Sequence, residues 1–226
     1  MEFKKTICAA CVATFVISGC ATPGGDPGTG SDNNTAVLRC AALGAGGAVL
    51  GAFLGGKSGA VKGAIAGLAA CAVVEVASRQ TKTAAEVDQQ YKISNRNRLP
   101  PNAKIDAYAT VVTPNGAVKA GDAIKIQSTI RAVSGTTEPV REIKEVLVAY
   151  APTGEEFKRG EKLVNDTGGS GEYDNSFTLK LPPGAPQGIY RLQTQVFLNG
   201  RASTTKESAM QVAEIDGVPT LALLDR

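Results

Sequence analysis

"AIKIQSTIRAV", residues 123–133, alternates apolar and polar side chains, with isoleucine at 124, 126 and 130. A period of two is typical of a β-strand that has one face in a protein core. Similar runs occupy 104–112, 142–151, 155–164, 176–182, 189–198 and 203–214. Around seven short strands with turn residues between them predict an antiparallel β-sandwich over residues 102–226.

Two local patterns refine this prediction. "FLNGRA", residues 197–202, places Asn-Gly between two strands, which favours a tight turn of the primed type. Tyr190 lies at the start of the sixth strand, where immunoglobulin-like sandwiches often have a corner tyrosine. The chain has no tryptophan, so the Cys-Trp-Cys core of a true immunoglobulin domain is excluded.

A connector at residues 80–101 precedes this domain. Thr83 and Glu86 have the spacing of a capping box, and Val87 and Tyr91 lie one helical turn apart. We expect a short helix to about Asn95, which Pro100 and Pro101 prevent from continuing.

Residues 36–79 are rich in glycine and alanine, and the glycines recur every four residues. They are Gly47, Gly51, Gly55, Gly59, Gly63 and Gly67. This spacing gives a bare helix face for close packing. We expect two helices, about 36–55 and 59–78, packed as an antiparallel hairpin in the membrane. A shallow hairpin, or one buried in an oligomer of this chain, is the alternative.

Cys40 and Cys71 fall at matching heights of this hairpin. Close helices suit the Cα separation of a disulfide, about 5.5–6 Å. A disulfide between them is one interpretation; two small side chains in the seam is the other.

"GAFLGGKSG", residues 51–59, also fits the phosphate-loop pattern through Gly51, Gly56, Lys57 and Ser58. A phosphate loop needs a preceding strand, and "LGAGGAVL" is a poor one because it is mostly glycine and alanine. The glycine period continues well beyond the motif, so we expect no nucleotide binding.

The N-terminus has the order of a secretory signal, with a basic head, a short apolar run and "ISGC" at 17–20. "ISGC" resembles the lipobox of bacterial lipoproteins. That resemblance implies cleavage after residue 19 and acylation of Cys20, and Ala21 favours the outer membrane. Residues 20–35 are Gly, Pro, Ser and Asn, typical of a flexible tether.

Composition argues against most catalytic chemistry. The chain has 24 Lys and Arg, 21 Asp and Glu, and no histidine. Without histidine the usual general base and the commonest metal ligand are missing, and the small net charge gives no reason to expect nucleic-acid binding. Asp166, Glu172 and Asp174 lie in one glycine-rich stretch. A calcium site is one interpretation of this stretch, and a mobile turn is the other. We expect no enzyme activity, cofactor or bound metal.

The glycine segment resembles the glycine-zipper region of outer-membrane lipoproteins such as the 17 kDa surface antigens and SlyB-like proteins. The β-rich part resembles lipoproteins of the TagQ type, which are accessories of type VI secretion. The strand pattern and the glycine segment together predict an α+β protein, with an antiparallel helical hairpin ahead of an all-β immunoglobulin-like sandwich. The resemblances imply a periplasm-facing interaction protein, anchored in the outer membrane and self-associating through its glycines, that contacts another envelope protein. A membrane-tethered module that binds a ligand or glycan is the alternative.

Overall fold

The computed structural model describes residues 72–224, except 115, 116, 120, 167, 183, 216 and 217, together with Gly67. Ten strands and one helix form in this part of the chain. They are β1 (Val73–Lys82), α1 (Ala84–Ser94), β2 (Lys104–Thr113), β3 (Val118–Lys119), β4 (Ala123–Val133), β5 (Ile143–Tyr150), β6 (Glu156–Leu163), β7 (Gly171–Lys180), β8 (Gly188–Leu198), β9 (Arg201–Ile215) and β10 (Val218–Leu224).

The strands form two antiparallel sheets. Sheet A has the order β1-β7-β4-β2, and sheet B has the order β3-β10-β9-β8-β5-β6. Strand β4 pairs within sheet A, whereas the next strand, β5, pairs within sheet B. Connections that pass from one sheet to the other in this way are common to Greek-key β-sandwiches.

The alternation in β4 orients its side chains as the sequence indicates. Ile124, Ile126 and Ile130 are buried, and Lys125 and Gln127 are exposed. The buried side chains form two apolar clusters, and each cluster draws on both sheets. The larger includes Ile126, Phe177, Leu147, Tyr190 and Met210, and the smaller includes Ile130, Tyr173, Ile143 and Val196. The two sheets therefore pack face to face as a sandwich.

Strands β1 and β6 approach each other closely along one side of the sandwich. A Cβ atom on Gly160 of β6 would lie 2.7 Å from Cγ1 of Val74 and 3.2 Å from Cδ1 of Phe177. A residue without a side chain is needed for this approach. Strand β1 is therefore an integral part of the sandwich.

The predicted α+β fold class, with a helical hairpin ahead of the sandwich, is wrong. The described chain is mostly β-structure with one short helix, and it contains no helical hairpin. Residues 73–78, the end of the predicted second helix, belong to β1 and pair with β7. The reason lies in their side chains, because Val74 and Val76 alternate with the exposed Glu75 and Ala77, and β-branched residues favour strands.

The rest of the glycine-rich segment lies outside the described residues, except Ala72 and Gly67. Gly67 is helical and half-buried. Its predicted helix partner, the other five glycines of the series, the Cys40–Cys71 pair and the phosphate-loop residues are all outside the described part. Self-association through the glycines is likewise not tested.

The connector helix is confirmed as a local structure. Thr83 caps α1, its Oγ1 accepts a hydrogen bond from the amide of Glu86, and the Glu86 carboxylate accepts one from the amide of Thr83. These reciprocal bonds are the predicted capping box. They lower the pKa of Glu86, first through the Thr83 backbone and then through its hydroxyl.

The two predicted turn features are also present. Asn199 and Gly200 both have positive φ, 51° and 77°, as a primed hairpin turn requires. The hydroxyl of Tyr190 donates to the carbonyl of Pro186, four residues upstream, at 2.8 Å. This is the hydrogen bond of a corner tyrosine.

Candidate binding groove on sheet A

The outer face of sheet A carries a shallow groove of about 660 Å³. It crosses all four strands of the sheet. The lining residues are Ala77, Ser78, Arg79, Ala109, Val111, Lys125, Gln127, Ser128, Thr129, Asp174, Asn175 and Ser176. Sheet B covers only the inner face, so the described residues leave this groove open to a ligand.

The groove follows from the sizes of the outward side chains. One row of paired residues across the sheet is Ala77, Ser176, Gln127 and Val111. The next row is Arg79, Asp174, Thr129 and Ala109. Small side chains occupy much of both rows, so the sheet surface is depressed there while longer side chains stand around it.

The polar side chains of the groove are held in place by contacts with one another. Arg79 Nη2 lies 3.0 Å from Asp174 Oδ2, and Thr129 Oγ1 donates to Asp174 Oδ1 at 3.1 Å. Lys125 and Gln127 are exposed on β4. The groove therefore offers a fixed carboxylate, two cations and an amide to a ligand.

A more buried ion cluster lies beyond the groove, where β1 ends. Arg131 donates to Glu172 Oε2 from Nε at 2.9 Å and from Nη2 at 2.7 Å, and Lys82 Nζ is 3.0 Å from Glu172 Oε1. Burial opposes ionisation, but the hydrogen bonds and charges of Arg131 and Lys82 prevail and lower the pKa of Glu172. Glu172 is thus a paired carboxylate that stabilises this end of the sheet.

Helix α1 lies against the same end of sheet A, in contact with β7 and β4. Val87 is fully buried, and the ring of Tyr91 lies 5.0 Å from the Lys104 ammonium. The helix and the ion cluster therefore bound the groove at one end.

Polar side chains also cross the interior directly behind the groove. The paired residues Ser78, Asn175, Ser128 and Thr110 form one inward-facing row across all four strands of sheet A. Opposite them, Glu145 of β5 is completely buried. We call these five residues the polar belt. It separates the two apolar clusters.

Glu145 is held by hydrogen bonds from sheet A. Its Oε1 accepts from the hydroxyls of Tyr108 at 2.7 Å and Ser128 at 2.6 Å, and its Oε2 accepts from Asn175 Nδ2 at 2.6 Å. Burial, and then the negative charge of Glu145, raise the pKa of Tyr108 far above its ordinary value. Tyr108 therefore stays protonated and remains a donor. These bonds join the two sheets and fix their registration.

The three acidic residues that were considered as a calcium site are not brought together. Asp166 pairs with Lys162 at 3.2 Å, Glu172 with Arg131 and Lys82, and Asp174 with Arg79. Each carboxylate has its own cation, and the last two residues lie in strand β7. Among the residues that the structure describes, no three histidines, cysteines or acidic residues cluster as metal ligands would.

The remaining site predictions concern residues outside the described part. These include the lipidation site Cys20 and the disulfide candidates Cys40 and Cys71. Among the described residues of 72–224, which exclude the gaps given above, no helix is long and apolar enough to span a bilayer. Sequence reasoning missed the groove, although small outward residues at 77, 109 and 176 were a visible signal once the strands were paired.

The comparisons with known proteins add little to this description. No protein-family model matches the chain, and no curated protein matches it. The chain is similar to three solved structures at 12% identity. β-Glucuronidase 2 of Bacteroides uniformis has a TM-score of 0.32, with 54% of this chain and 16% of that chain covered. A family 123 glycoside hydrolase of Clostridium perfringens has a TM-score of 0.32, with 63% and 28% covered.

The third is a conjugative transposon lipoprotein of Bacteroides eggerthii, with a TM-score of 0.25 and with 46% of this chain and 94% of that chain covered. The present chain spans less than a third of either glycoside hydrolase. Similarities of this strength carry no argument about activity, so function has to be argued from the groove itself.

Proposed function

We propose that the sandwich is a protein-binding module of the bacterial envelope and that the groove on sheet A holds its partner. An acyl chain on Cys20 would tether it to the outer membrane, as the lipobox-like "ISGC" suggests. The partner would be another envelope or secretion protein. The observation that carries the proposal is the groove itself. It has a volume of about 660 Å³, and no residue of the described chain covers it.

The side chains of the groove suit a polypeptide better than a sugar. Sugar rings commonly stack on aromatic side chains, and none of the residues that line the groove is aromatic. Instead, Gln127 and Asp174 can bond the amides of a peptide, and Ala77, Ala109 and Val111 leave room for its apolar side chains. A non-obligate protein interface is, as a whole, about as polar as the rest of the protein surface, so the polar lining is compatible with a protein partner.

The groove also suits binding better than catalysis. Its carboxylate, Asp174, accepts hydrogen bonds from Arg79 and Thr129. A general acid or base needs a free proton-transfer group whose pKa lies near the working pH. Asp174 already accepts hydrogen bonds from Arg79 and Thr129 and is not a free group, so we assign it to recognition.

Photo-crosslinking in intact cells tests this function. A photoreactive amino acid replaces Gln127 in the groove of the full chain, and a matched variant carries it at Gln195 on the outer face of sheet B. We expect a specific envelope protein to be linked from position 127 and absent from position 195. Equal yields of the same abundant proteins from both positions would contradict the proposal.

A second readout separates the protein from the glycan hypothesis. The full chain is incubated with soluble peptidoglycan fragments, and the Gln127 amide region is followed by hydrogen exchange. If the fragments slow hydrogen exchange of these amides and no protein is crosslinked from position 127, the ligand of the groove is a glycan and not a protein.

A further inference from the structure

Strand β2 is one of the two edge strands of sheet A, which both border the groove, and its outer edge differs from the other edges. Its residues 107–113, "AYATVVT", carry no charge. The other long edges of the described chain do carry charges: Glu75, Arg79 and Lys82 on β1; Glu156, Lys158, Arg159, Glu161 and Lys162 on β6; Arg201, Lys206 and Glu207 on the half of β9 beyond β10. Charged side chains on an edge discourage pairing with another chain. Residues 107–113 of β2 lack this protection, and the charged residues of this strand, Lys104 and Asp106, lie at its other end.

The backbone of β2 can accept a further strand. Within the described residues it pairs with β4 and with no other strand. In an antiparallel pair, alternate residues direct both N–H and C=O away from the partner strand. Several amides and carbonyls of 107–113 therefore point outward from the sheet.

Side chains at this edge also favour a neighbour. Val111 is 59% exposed, among the most exposed large apolar residues of the described chain, and it lines the groove together with Ala109. A strand beside β2 would cover Val111 and extend the groove by one strand. Side-chain pairs across neighbouring strands, such as an aromatic residue opposite Val111, stabilise such an arrangement.

The arrangement of sheet B selects the kind of neighbour. Strand β9 contacts β2 across the sandwich, and β10 and β3 lie beyond β9 in sheet B. A second copy joined edge to edge through β2 would bring its own β9 into the space that β10 occupies. A single extended segment needs only one strand spacing, about 4.8 Å, and meets no such obstacle.

We propose that an extended, uncharged segment of the partner protein adds to β2 as a fifth strand of sheet A. This inference rests on the proposed function and specifies how the partner binds. The partner's backbone pairs with 107–113, and its outward side chains lie beside Ala109 and Val111. Backbone pairing supplies affinity and alternate side chains supply specificity, as in other cases of strand addition.

Crosslinking from the edge itself provides the first test. The photoreactive residue is placed at Ala109 in the full chain in intact cells, with a matched variant at Arg159 on the charged edge β6. We expect position 109 to link the same protein as position 127, and position 159 to link none of it. Partner linked from 127 but not from 109 overturns strand addition and leaves the proposed function standing. Failure at both positions overturns both, and a linked second copy overturns the choice of partner.

A pair of proline variants provides the second test. Of Ala109→Pro and Thr110→Pro, one removes an amide bonded to β4 and the other removes an amide directed outward. We expect the variant that loses the outward amide to melt within a few degrees of wild type. Its crosslinking yield from position 127 should fall at least tenfold. Full crosslinking by the tolerated variant overturns the proposal.

If both proline variants fail to fold, Val111→Lys replaces them. Its side chain is exposed, so the fold should persist, and the lysine adds the charge that the edge lacks. Crosslinking from position 127 that remains at the wild-type level in this variant overturns the proposal.

Discussion

Tyr190 shows how one residue connects strand and loop. Its ring is completely buried and meets Phe157 edge to face at 5.7 Å, while its hydroxyl reaches the carbonyl of Pro186. Burial raises the pKa of this phenol, so it remains a donor throughout the neutral range. The position of this tyrosine was visible in the sequence because "PQG" immediately precedes a strand.

We expect Tyr190→Phe to lower the free energy of unfolding by about 1–2 kcal/mol, because the carbonyl of Pro186 loses its buried partner while the ring packing is kept. Urea denaturation measures this. Tyr150→Phe is the control, since its hydroxyl bonds Gln193 at the surface of sheet B. An equal loss of unfolding free energy in both variants would show that the Tyr190–Pro186 hydrogen bond stabilises the fold no more than the Tyr150–Gln193 bond does.

The Glu172 carboxylate makes the stability of the fold depend on pH. Its folded pKa is lowered, so its contribution to stability is present above the unfolded pKa of about 4.3 and is lost as the pH falls through the folded pKa. We expect Glu172→Gln to cost about 2–3 kcal/mol at pH 7 and to flatten the loss of stability below pH 4. Unfolding curves between pH 7 and pH 2 test this, and parallel curves for the two proteins would contradict it.

At the scale of elements, the strands of the sandwich were easier to predict than the point at which the glycine-rich segment ends and the first strand begins. The alternating runs of 123–133 and 189–198 correspond to β4 and β8 within a residue or so. Strand β1 was missed because glycine spacing before it suggested a helix that continued to 78. The competing signal, valine at 73, 74 and 76, was short, and the pairing with β7 across about a hundred residues of sequence decided in its favour.

Strand β10 was missed for a related reason. "LALL" has no alternation that separates a strand from other apolar runs, and its place beside β9 depends on that long strand continuing to Ile215. The groove could not be predicted at all, because it requires knowing which outward residues lie side by side. Register, which sets these neighbours, is a property of the assembled sheet.

Removing β1 tests its place in the sandwich. We expect a chain that starts at residue 83, which keeps α1, to lose at least about 3 kcal/mol relative to one that starts at residue 72, because Val74 and Val76 no longer cover the core beside Phe177. Chemical denaturation of the two fragments measures the difference. Equal unfolding free energies would place β1 outside the cooperative unit.

At the scale of the whole molecule, the polar belt divides the core into two apolar clusters. None of the ion pairs in the described part of the chain includes Glu145. A buried carboxyl group without a cation depends entirely on its hydrogen-bond donors. The belt thus makes the pairing of the two sheets specific, since a shifted register would leave Glu145 without donors.

Asn175→Asp tests the belt. It replaces a donor to Glu145 with a second carboxylate at hydrogen-bond distance, and like charges there are expected to cost at least about 3 kcal/mol at pH 7. Thr178→Asp on the outer side of the same strand is the control, and equal effects from both variants would argue against a structural belt.

The account rests on the groove of sheet A as the site of a protein partner, and a single measurement tests that claim most directly. Ser176→Trp fills the middle of the groove, and Thr205→Trp places the same side chain on the outer face of sheet B. Each is combined with the photoreactive residue at position 127 in intact cells. The account predicts that Ser176→Trp lowers partner crosslinking at least tenfold while Thr205→Trp leaves it unchanged and both proteins melt as wild type does. Undiminished crosslinking by a stably folded Ser176→Trp protein would contradict it.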